Sequence, residues 1–165
     1  MVTNIYLIRH GEAHNPKNIL YGLLPGFKLS ENGKAQIYKT AEFLKDKKIV
    51  AVYSSPVLRT RQTAGIIKKI LHLPKISVLK GLTEIKTSLE GKNSEDFDLT
   101  TLDYFSHSVR GSQDENMEQI AKRMEQSLKT IFTKHKGNSV AVVYHGDHIL
   151  IIEAYFTDLP LQLSS

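Results

Sequence analysis

Short apolar runs alternate along this chain with longer segments of helical periodicity. The strand-like runs are Thr3–Ile8, Ile49–Tyr53, Lys75–Leu79 and Ser139–Tyr144. The helical segments are Ser30–Lys47, Ser55 to about Leu71, Asp114–His135 and His148 to about Phe156. Strands that alternate with helices form βαβ units with right-handed crossovers. The pattern therefore predicts the α/β class with a largely parallel sheet.

Two of the predicted helices carry start signals. Ser30 precedes the first helical segment and suits an N-cap, because its hydroxyl can accept from a free backbone N–H. Ser55 and Pro56 follow a strand-like run, and proline is well tolerated in a first helical turn. We therefore expect Ser30 and Ser55 to cap helices.

The length and composition bound the possible protein classes. A chain of 165 residues with 41% hydrophobic and 24% charged residues predicts one globular domain over residues 1–165. No apolar run approaches bilayer length, and a strand-like segment starts near the N-terminus, so we expect no signal peptide, no membrane partner and a cytoplasmic location. Cysteine is absent, which removes thiol catalysis and thiolate metal sites.

The net charge of +5 suits an anionic ligand, because a positive field raises the local anion concentration. Many lysines nevertheless lie where a solvated helix end favours them, as in Lys45–Lys48. No zinc-finger spacing, glycine-rich RNA motif or arginine-rich arm accompanies the charge. We therefore expect no nucleic-acid partner.

Two strand-like runs end in the same way, as YLIRHG and AVVYHG. Ligands of open α/β sheets bind beyond the carboxyl ends of the strands, so His10 and His145 should share the functional edge. Arg59 lies one turn into a helix that starts at another strand end, where helix N–H groups and a guanidinium can bind phosphate. Together with Arg9 it predicts an anion site at this edge.

Six segments in order resemble the histidine phosphatase superfamily, also called phosphoglycerate mutase-like. They are RHGE, YGLLPGFKLSENGKAQ, SSPVLRTRQTA, LTEIKTSLEG, ENMEQIAKRM and VVYHGDHI. The resemblance covers nearly the whole chain and implies a three-layer αβα sandwich with a mostly parallel central sheet. The periodicity fades from Gly81 to Gly111 into a polar stretch that is long for a connection in a compact domain, which predicts a flap over the active site at about residues 86–111.

The resemblance implies a set of catalytic residues. His10 would attack phosphorus and become a phosphohistidine, while Arg9, Arg59 and His145 surround the phosphoryl group and Glu84 protonates the leaving oxygen. These residue types suit the reaction, because a neutral imidazole is nucleophilic and cationic donors stabilise transition-state charge. An acid beside a dianionic phosphate should have a raised pKa.

The resemblance implies phosphate or substrate contacts for four further residues: Gly11, Asn15, Gly22 and Gly146. It implies no cofactor and no metal, since arginines supply the positive charge. Glu12 and Glu90 remain alternatives to Glu84 as the acid. Arg61 and the other histidines are expected at surface or packing positions, with substrate contact left open for His107 and His148.

The predicted function is that of a metal-independent phosphatase acting on a small phosphorylated substrate or a phosphoprotein. A phosphoglycerate mutase is the first alternative, and a non-catalytic phospho-ligand-binding domain is the second. A mutase must hold a second phosphate, but the flap segment carries more acidic than basic residues, and Ile19 replaces an arginine common in the family. The oligomeric state stays open.

Overall fold

The computed structural model describes residues 2–96, 111–146, 148–149 and 151–152. The described strands are β1 (Asn4–Arg9), β2 (Ile49–Ser54), β3 (Ile76–Val78) and β4 (Ser139–Tyr144). The described helices are α1 (Glu31–Leu44), α2 (Leu58–Ile70) and α3 (Met117–Lys134). Short 3-10 turns lie at Lys45–Lys47, Lys80–Leu82 and Ser94–Asp96. The described residues from 146 to 152 are helical, and the predicted continuation from 153 to Phe156 lies outside the described residues.

The four described strands form one parallel sheet in the order β1-β4-β2-β3. β1 and β4 pair in register from Asn4 with Ser139 to Arg9 with Tyr144. Their carboxyl ends therefore meet, and His10 and His145 follow them directly. The predicted parallel sheet is confirmed.

Helices cover both faces of this sheet. On β4, Val142 and Tyr144 face the core that contains α3, whereas Ala141 and Val143 face the core that contains α1 and α2. Successive side chains of a strand point to opposite faces, so one buried strand supplies both cores. The arrangement is the predicted three-layer αβα sandwich.

The helix starts match the sequence only in part. Ser30 caps α1, since its hydroxyl accepts from the backbone N–H of Gly33 at 2.9 Å. The cap predicted at Ser55 is wrong: α2 begins at Leu58, and its N-cap Val57 makes no side-chain cap bond. Ser55 is buried, and its hydroxyl instead contacts His145.

Residues 97–110 of the predicted flap lie outside the described residues. The Asp114 carboxylate links the chain segments before and after them by hydrogen bonds. Asp114 accepts from the Ser88 backbone N–H and hydroxyl at 2.8 and 2.9 Å, and from the Gly111 N–H at 2.8 Å. In the part of the chain that the structure describes, no helix has the length and apolar character to cross a membrane.

Candidate active site

His10 is buried immediately after β1, and its two ring nitrogens have different partners. Nδ1 lies 2.8 Å from the Gly11 carbonyl oxygen, which can only accept, so Nδ1 carries the proton. Nε2 is then unprotonated and accepts from Nε of Arg59 at 3.0 Å. Burial lowers the pKa of His10 to about 4. The ring is therefore neutral near neutral pH, with its lone pair on Nε2.

Arg59 is completely buried in the first turn of α2 and connects the site residues. Its Nη2 donates to the Gly22 carbonyl at 3.0 Å and to Oε2 of Glu84 at 2.8 Å. The guanidinium also lies over the Tyr21 ring, 4.6 Å from its centre. Nη1 has no hydrogen-bond partner among the described residues. A guanidinium held in this way can direct a spare donor at an anion.

Glu84 follows the 3-10 turn after β3, and its carboxylate meets both basic groups. Oε2 lies 2.8 Å from Nη2 of Arg59 and 2.8 Å from Nδ1 of His145. Burial pushes the pKa of Glu84 upward, but the hydrogen bond with His145 and the charge of the Arg59 guanidinium hold it well below its usual range. The carboxylate is ionised in this arrangement.

His145 is buried after β4, between Glu84 and Ser55. Its Nδ1 contacts the carboxylate of Glu84, and its Nε2 lies 3.0 Å from the Ser55 hydroxyl. Its ring centre is 5.4 Å from that of His10. Both histidines predicted at the carboxyl edge of the sheet are therefore neighbours.

The two alternative acids are placed elsewhere. Glu12 is exposed, and its carboxylate accepts from the Ser30 hydroxyl at 2.5 Å and from the Asn32 amide at 2.7 Å. Glu90 accepts from the Leu23 backbone N–H at 2.5 Å. Of these three carboxylates, Glu84 is the one that the fold brings to the histidine pair.

The remaining predicted residues form the rim and the supporting backbone. Arg9 is exposed and packs on Gly146, where an added Cβ would lie 3.1 Å from its Nε. Gly22 has φ +33, and its carbonyl accepts from Arg59. The Asn15 amide bonds the backbone of Ile19 at 2.9 and 3.2 Å, so its hydrogen bonds brace the loop.

These residues border a cavity of about 440 Å³. Its lining is mixed in charge and comprises Arg9, His10, Asn15, Asn18, Ile19, Leu20, Tyr21, Gly22, Glu84, Ile85, Lys86, Thr87, Ser94, Asp114, Glu115 and Gly146. The volume suits a small ligand.

Ligand atoms of His10, Glu84 and His145 lie within 4.8 Å of one another, as in a metal site. The Arg59 guanidinium lies within hydrogen-bond distance of all three side chains. A permanent cation at that position opposes a second, divalent one. The cluster therefore fits an anion beside Arg59 better than a metal.

Sequence reasoning missed several residues that support the site. They are Tyr21 over Arg59, Ser55 on His145, Thr63 on the Gly11 N–H, and Arg123 behind Glu84. His148, for which the sequence leaves substrate contact open, lies beside Arg123 and is not among the residues that line the cavity. Ser55 and Arg123 lie within the family-like segments, but nothing in the local sequence indicates their partners.

The other described histidines and Arg61 lie away from the site. His14, His72 and Arg61 are exposed as expected, and His135 bonds the Tyr53 hydroxyl at 2.9 Å. His107 lies outside the described residues.

A family model described as histidine phosphatase superfamily (branch 1) matches residues 5–164. The chain belongs to the histidine phosphatase superfamily. The resemblance drawn from the sequence segments is thereby confirmed.

Relatives in this superfamily carry both phosphatase and mutase names. An uncharacterised protein of Mycobacterium tuberculosis is 33% identical over 94% of this chain and 79% of its own length. A metal-independent phosphoserine phosphatase of Arabidopsis thaliana is 34% identical over 88% of this chain and 65% of its own length. A probable phosphoglycerate mutase of Erwinia tasmaniensis is 27% identical over 94% of this chain and 75% of its own length.

Solved structures share the fold closely. The YhfR protein of Bacillus stearothermophilus superposes with a TM-score of 0.84 at 27% identity, over 98% of this chain and 83% of that one. A phosphoglycerate mutase of Bacillus anthracis gives a TM-score of 0.79 at 22% identity, over 97% and 82% of the two chains. These similarities confirm the phosphoglycerate mutase-like fold.

Proposed function

We propose that this protein is a metal-independent phosphatase that hydrolyses phosphomonoesters through a phosphohistidine at His10. The observation that carries the proposal is the state of the His10 ring: neutral, with the lone pair of Nε2 beside the buried Arg59 guanidinium. A nucleophilic nitrogen next to a cationic donor suits attack on a phosphoryl group.

In the first step Nε2 of His10 attacks phosphorus and the bond from phosphorus to the ester oxygen breaks. Arg59 and His145 stabilise the charge on the phosphoryl oxygens, and Arg9 at the rim adds a further cation. Glu84 delivers a proton to the leaving oxygen. In the second step Glu84 takes a proton from water, the water oxygen attacks the phosphohistidine, and inorganic phosphate leaves as the bond from phosphorus to Nε2 breaks.

Glu84 must be protonated for the first step, although Arg59 and His145 hold its pKa low. A dianionic phosphoryl group beside His10 would compete for those two donors and add negative charge next to the carboxylate. Both effects raise the pKa of a carboxyl group. Substrate binding therefore prepares the acid.

The distribution of charge favours a phosphatase over a mutase. The cavity lining contains two cationic side chains, those of Arg9 and Lys86, and three acidic ones, those of Glu84, Asp114 and Glu115. Ile19 also lines the cavity, at the position where the family resemblance leads us to expect an arginine. Among the described residues of the flap, Lys86 and Lys92 are basic, and Glu90, Glu95 and Asp96 are acidic. The flap residues Asp98, Asp103 and Arg110 lie outside the described residues. Few cations are therefore available to hold a second phosphate.

A phospho-ligand-binding domain without catalysis would need the cationic groups but not an acid. Glu84 is held between two bases, which favours the enzyme. The proposed substrate is a small phosphomonoester or a phosphorylated side chain, and phosphoserine deserves a test because of the Arabidopsis relative's name.

The intermediate provides the direct test. We expect brief exposure to a phosphomonoester in the presence of EDTA to label His10 with acid-labile, alkali-stable phosphate, located by mass spectrometry. His10→Gln should abolish the label, whereas His14→Gln, which removes an exposed histidine, should keep it. Phosphate on serine, or turnover without label, would contradict the proposal.

The mutase alternative is tested with 3-phosphoglycerate and catalytic 2,3-bisphosphoglycerate. The phosphatase should release inorganic phosphate or leave the mixture unchanged. Interconversion of 3- and 2-phosphoglycerate that outpaces phosphate release would make the protein a mutase.

A further inference from the structure

His148 is a buried histidine that the reaction proposed above does not use. It lies in the helical residues that follow β4 and has no exposed surface. Its ring packs 5.3 Å from that of Tyr144 and 5.4 Å from that of His145, measured between ring centres. A buried polar ring of this kind needs hydrogen-bond partners.

One of those partners is Arg123 of α3, whose guanidinium is held in place by several hydrogen bonds. Its guanidinium forms two bonds with the Glu115 carboxylate, at 2.8 and 2.9 Å. Its Nη1 donates to the carbonyls of Gly81 and Thr83 at 2.8 and 2.6 Å. These bonds fix the backbone that leads into Glu84.

The contact with Arg123 determines the tautomer of His148. Nη2 of Arg123 lies 3.2 Å from Nε2 of the ring, and a guanidinium has donors only. Nε2 must therefore accept. Burial lowers the pKa of His148 to about 3, so the ring is neutral and its single proton is on Nδ1.

This Nδ1–H is directed towards the acid. Nδ1 lies 3.4 Å from Oε1 of Glu84, and it has no partner of full hydrogen-bond geometry among the described residues. The backbone of Thr83 also faces the ring. The Glu84 carboxylate and the Thr83 backbone carbonyl are both acceptors, so Nδ1–H lies between two groups to which it can donate.

The two oxygens of Glu84 consequently have different surroundings. Oε2 contacts Arg59 and His145, the groups that a phosphoryl group would attract. Oε1 accepts from the Ile85 backbone N–H at 3.0 Å and faces His148. The Ile85 N–H and His148 are not among the donors that a bound phosphoryl group would attract.

We propose that His148 is a positioning residue for the general acid: it donates from Nδ1 to Oε1 of Glu84 and leaves Oε2 to carry the proton. The inference rests on the proposed function. In this proposal His148 keeps the Glu84 carboxyl group oriented when a bound phosphoryl group attracts Arg59 and His145. His148 itself touches neither the substrate nor the transferred proton.

A pair of substitutions separates the two ring nitrogens. The amide of His148→Asn can place a donor near the position of Nδ1, whereas that of His148→Gln reaches the position of Nε2. We expect His148→Gln to lower kcat/KM for glycerol phosphate about 10-fold, part of the roughly 10²–10⁴ that general acid catalysis contributes. The same variant should change kcat/KM for p-nitrophenyl phosphate little, because that leaving group scarcely needs a proton.

The control variant His148→Asn should retain most activity on both esters. An equal loss on the two esters, or no loss on either, in a folded His148→Gln protein would overturn the positioning role. A merely structural role would not change the preference between leaving groups.

A measurement on the unmodified protein avoids any folding defect of the variants. Nitrogen-15 NMR of the histidine rings should show His148 neutral, with the proton on Nδ1. A proton on Nε2 would overturn the proposal.

The proposed function can fail separately from this inference. Suppose that wild-type His10 is phosphorylated and that Glu84→Gln lowers kcat/KM selectively for glycerol phosphate, while His148→Gln does not. The proposed function would then stand, and only the role of His148 would be refuted.

Discussion

At the scale of single residues, the site contains three buried histidines that their partners make chemically different. Nδ1 of His10 bonds a carbonyl, which leaves its Nε2 nucleophilic. Nδ1 of His145 contacts the Glu84 carboxylate, and Nε2 of His148 accepts from Arg123. The partner of one ring nitrogen determines what the other can do.

Glu84→Gln tests the assignment of the acid. We expect kcat/KM for an alkyl phosphate to fall by about 10²–10⁴, because the amide cannot protonate the leaving oxygen. The loss with p-nitrophenyl phosphate should be much smaller, as measured by steady-state kinetics.

Glu90→Gln and Glu12→Gln are matched controls, since both carboxylates bond groups outside the histidine cluster. Neither should alter the preference between the two esters. If Glu90→Gln reproduced the selective loss, Glu84 would lose its role as the acid.

At the scale of elements, the turn after β1 is held against the start of α1 by two glycines. A Cβ at Gly33 would overlap the backbone oxygen of Glu12, and a Cβ at Gly11 would overlap that of Gly33. The close approach joins the turn that contains His10, the proposed nucleophile, to a capped helix. The backbone of α1 thus helps to fix the position of His10.

Gly33→Ala should therefore destabilise the protein by about 1–3 kcal/mol, the usual cost of overpacking, and lower kcat. Gly65→Ala on α2 is the control, because an added Cβ there would meet no atom within 4 Å among the described residues, apart from the adjacent residues and backbone of its own helix. It should stabilise the protein by about 0.5–1 kcal/mol through the loss of glycine's flexibility in a helix. Urea unfolding and phosphatase assays measure both effects; equal behaviour of the two variants would contradict the packing argument.

At the scale of the whole molecule, the parallel sheet gathers the polar ends of β1, β2 and β4 at one edge, between two apolar cores. The site is consequently desolvated along with the cores. Burial is the main reason that the pKa values of His10 and His148 are lowered, to about 4 and about 3. Stability and the proposed function therefore depend on the same histidines.

Stability should fall as the pH is lowered from 7 to 5. Below the ordinary histidine pKa of 6.5 the unfolded chain binds protons that the folded protein does not, so each histidine costs up to about tenfold in the folding equilibrium constant per pH unit. Urea unfolding at several pH values should show a smaller slope for His10→Gln than for wild type. His14→Gln should not reproduce this change, and an unchanged slope in His10→Gln would refute the buried neutral state.

The sequence alone determined the order of elements, the parallel sheet and the strand ends that carry His10 and His145, because periodicity and strand-end motifs are local properties. It also indicated Arg59 through its place near a helix start and Glu84 through a family-like segment. Contacts between distant parts of the chain were decided only by the tertiary structure. Ser55 bonds His145 instead of capping α2, since the sheet brings those residues together across 90 positions.

The surroundings of Glu84 show the same division. Its identity as a candidate acid could be stated from the sequence, but its charge state depends on Arg59 and His145, which lie on other elements. Arg123 reaches this group from α3 through backbone carbonyls that no motif marks. Side-chain type and spacing predict which chemistry is available, whereas the packing of buried charges decides where each proton resides.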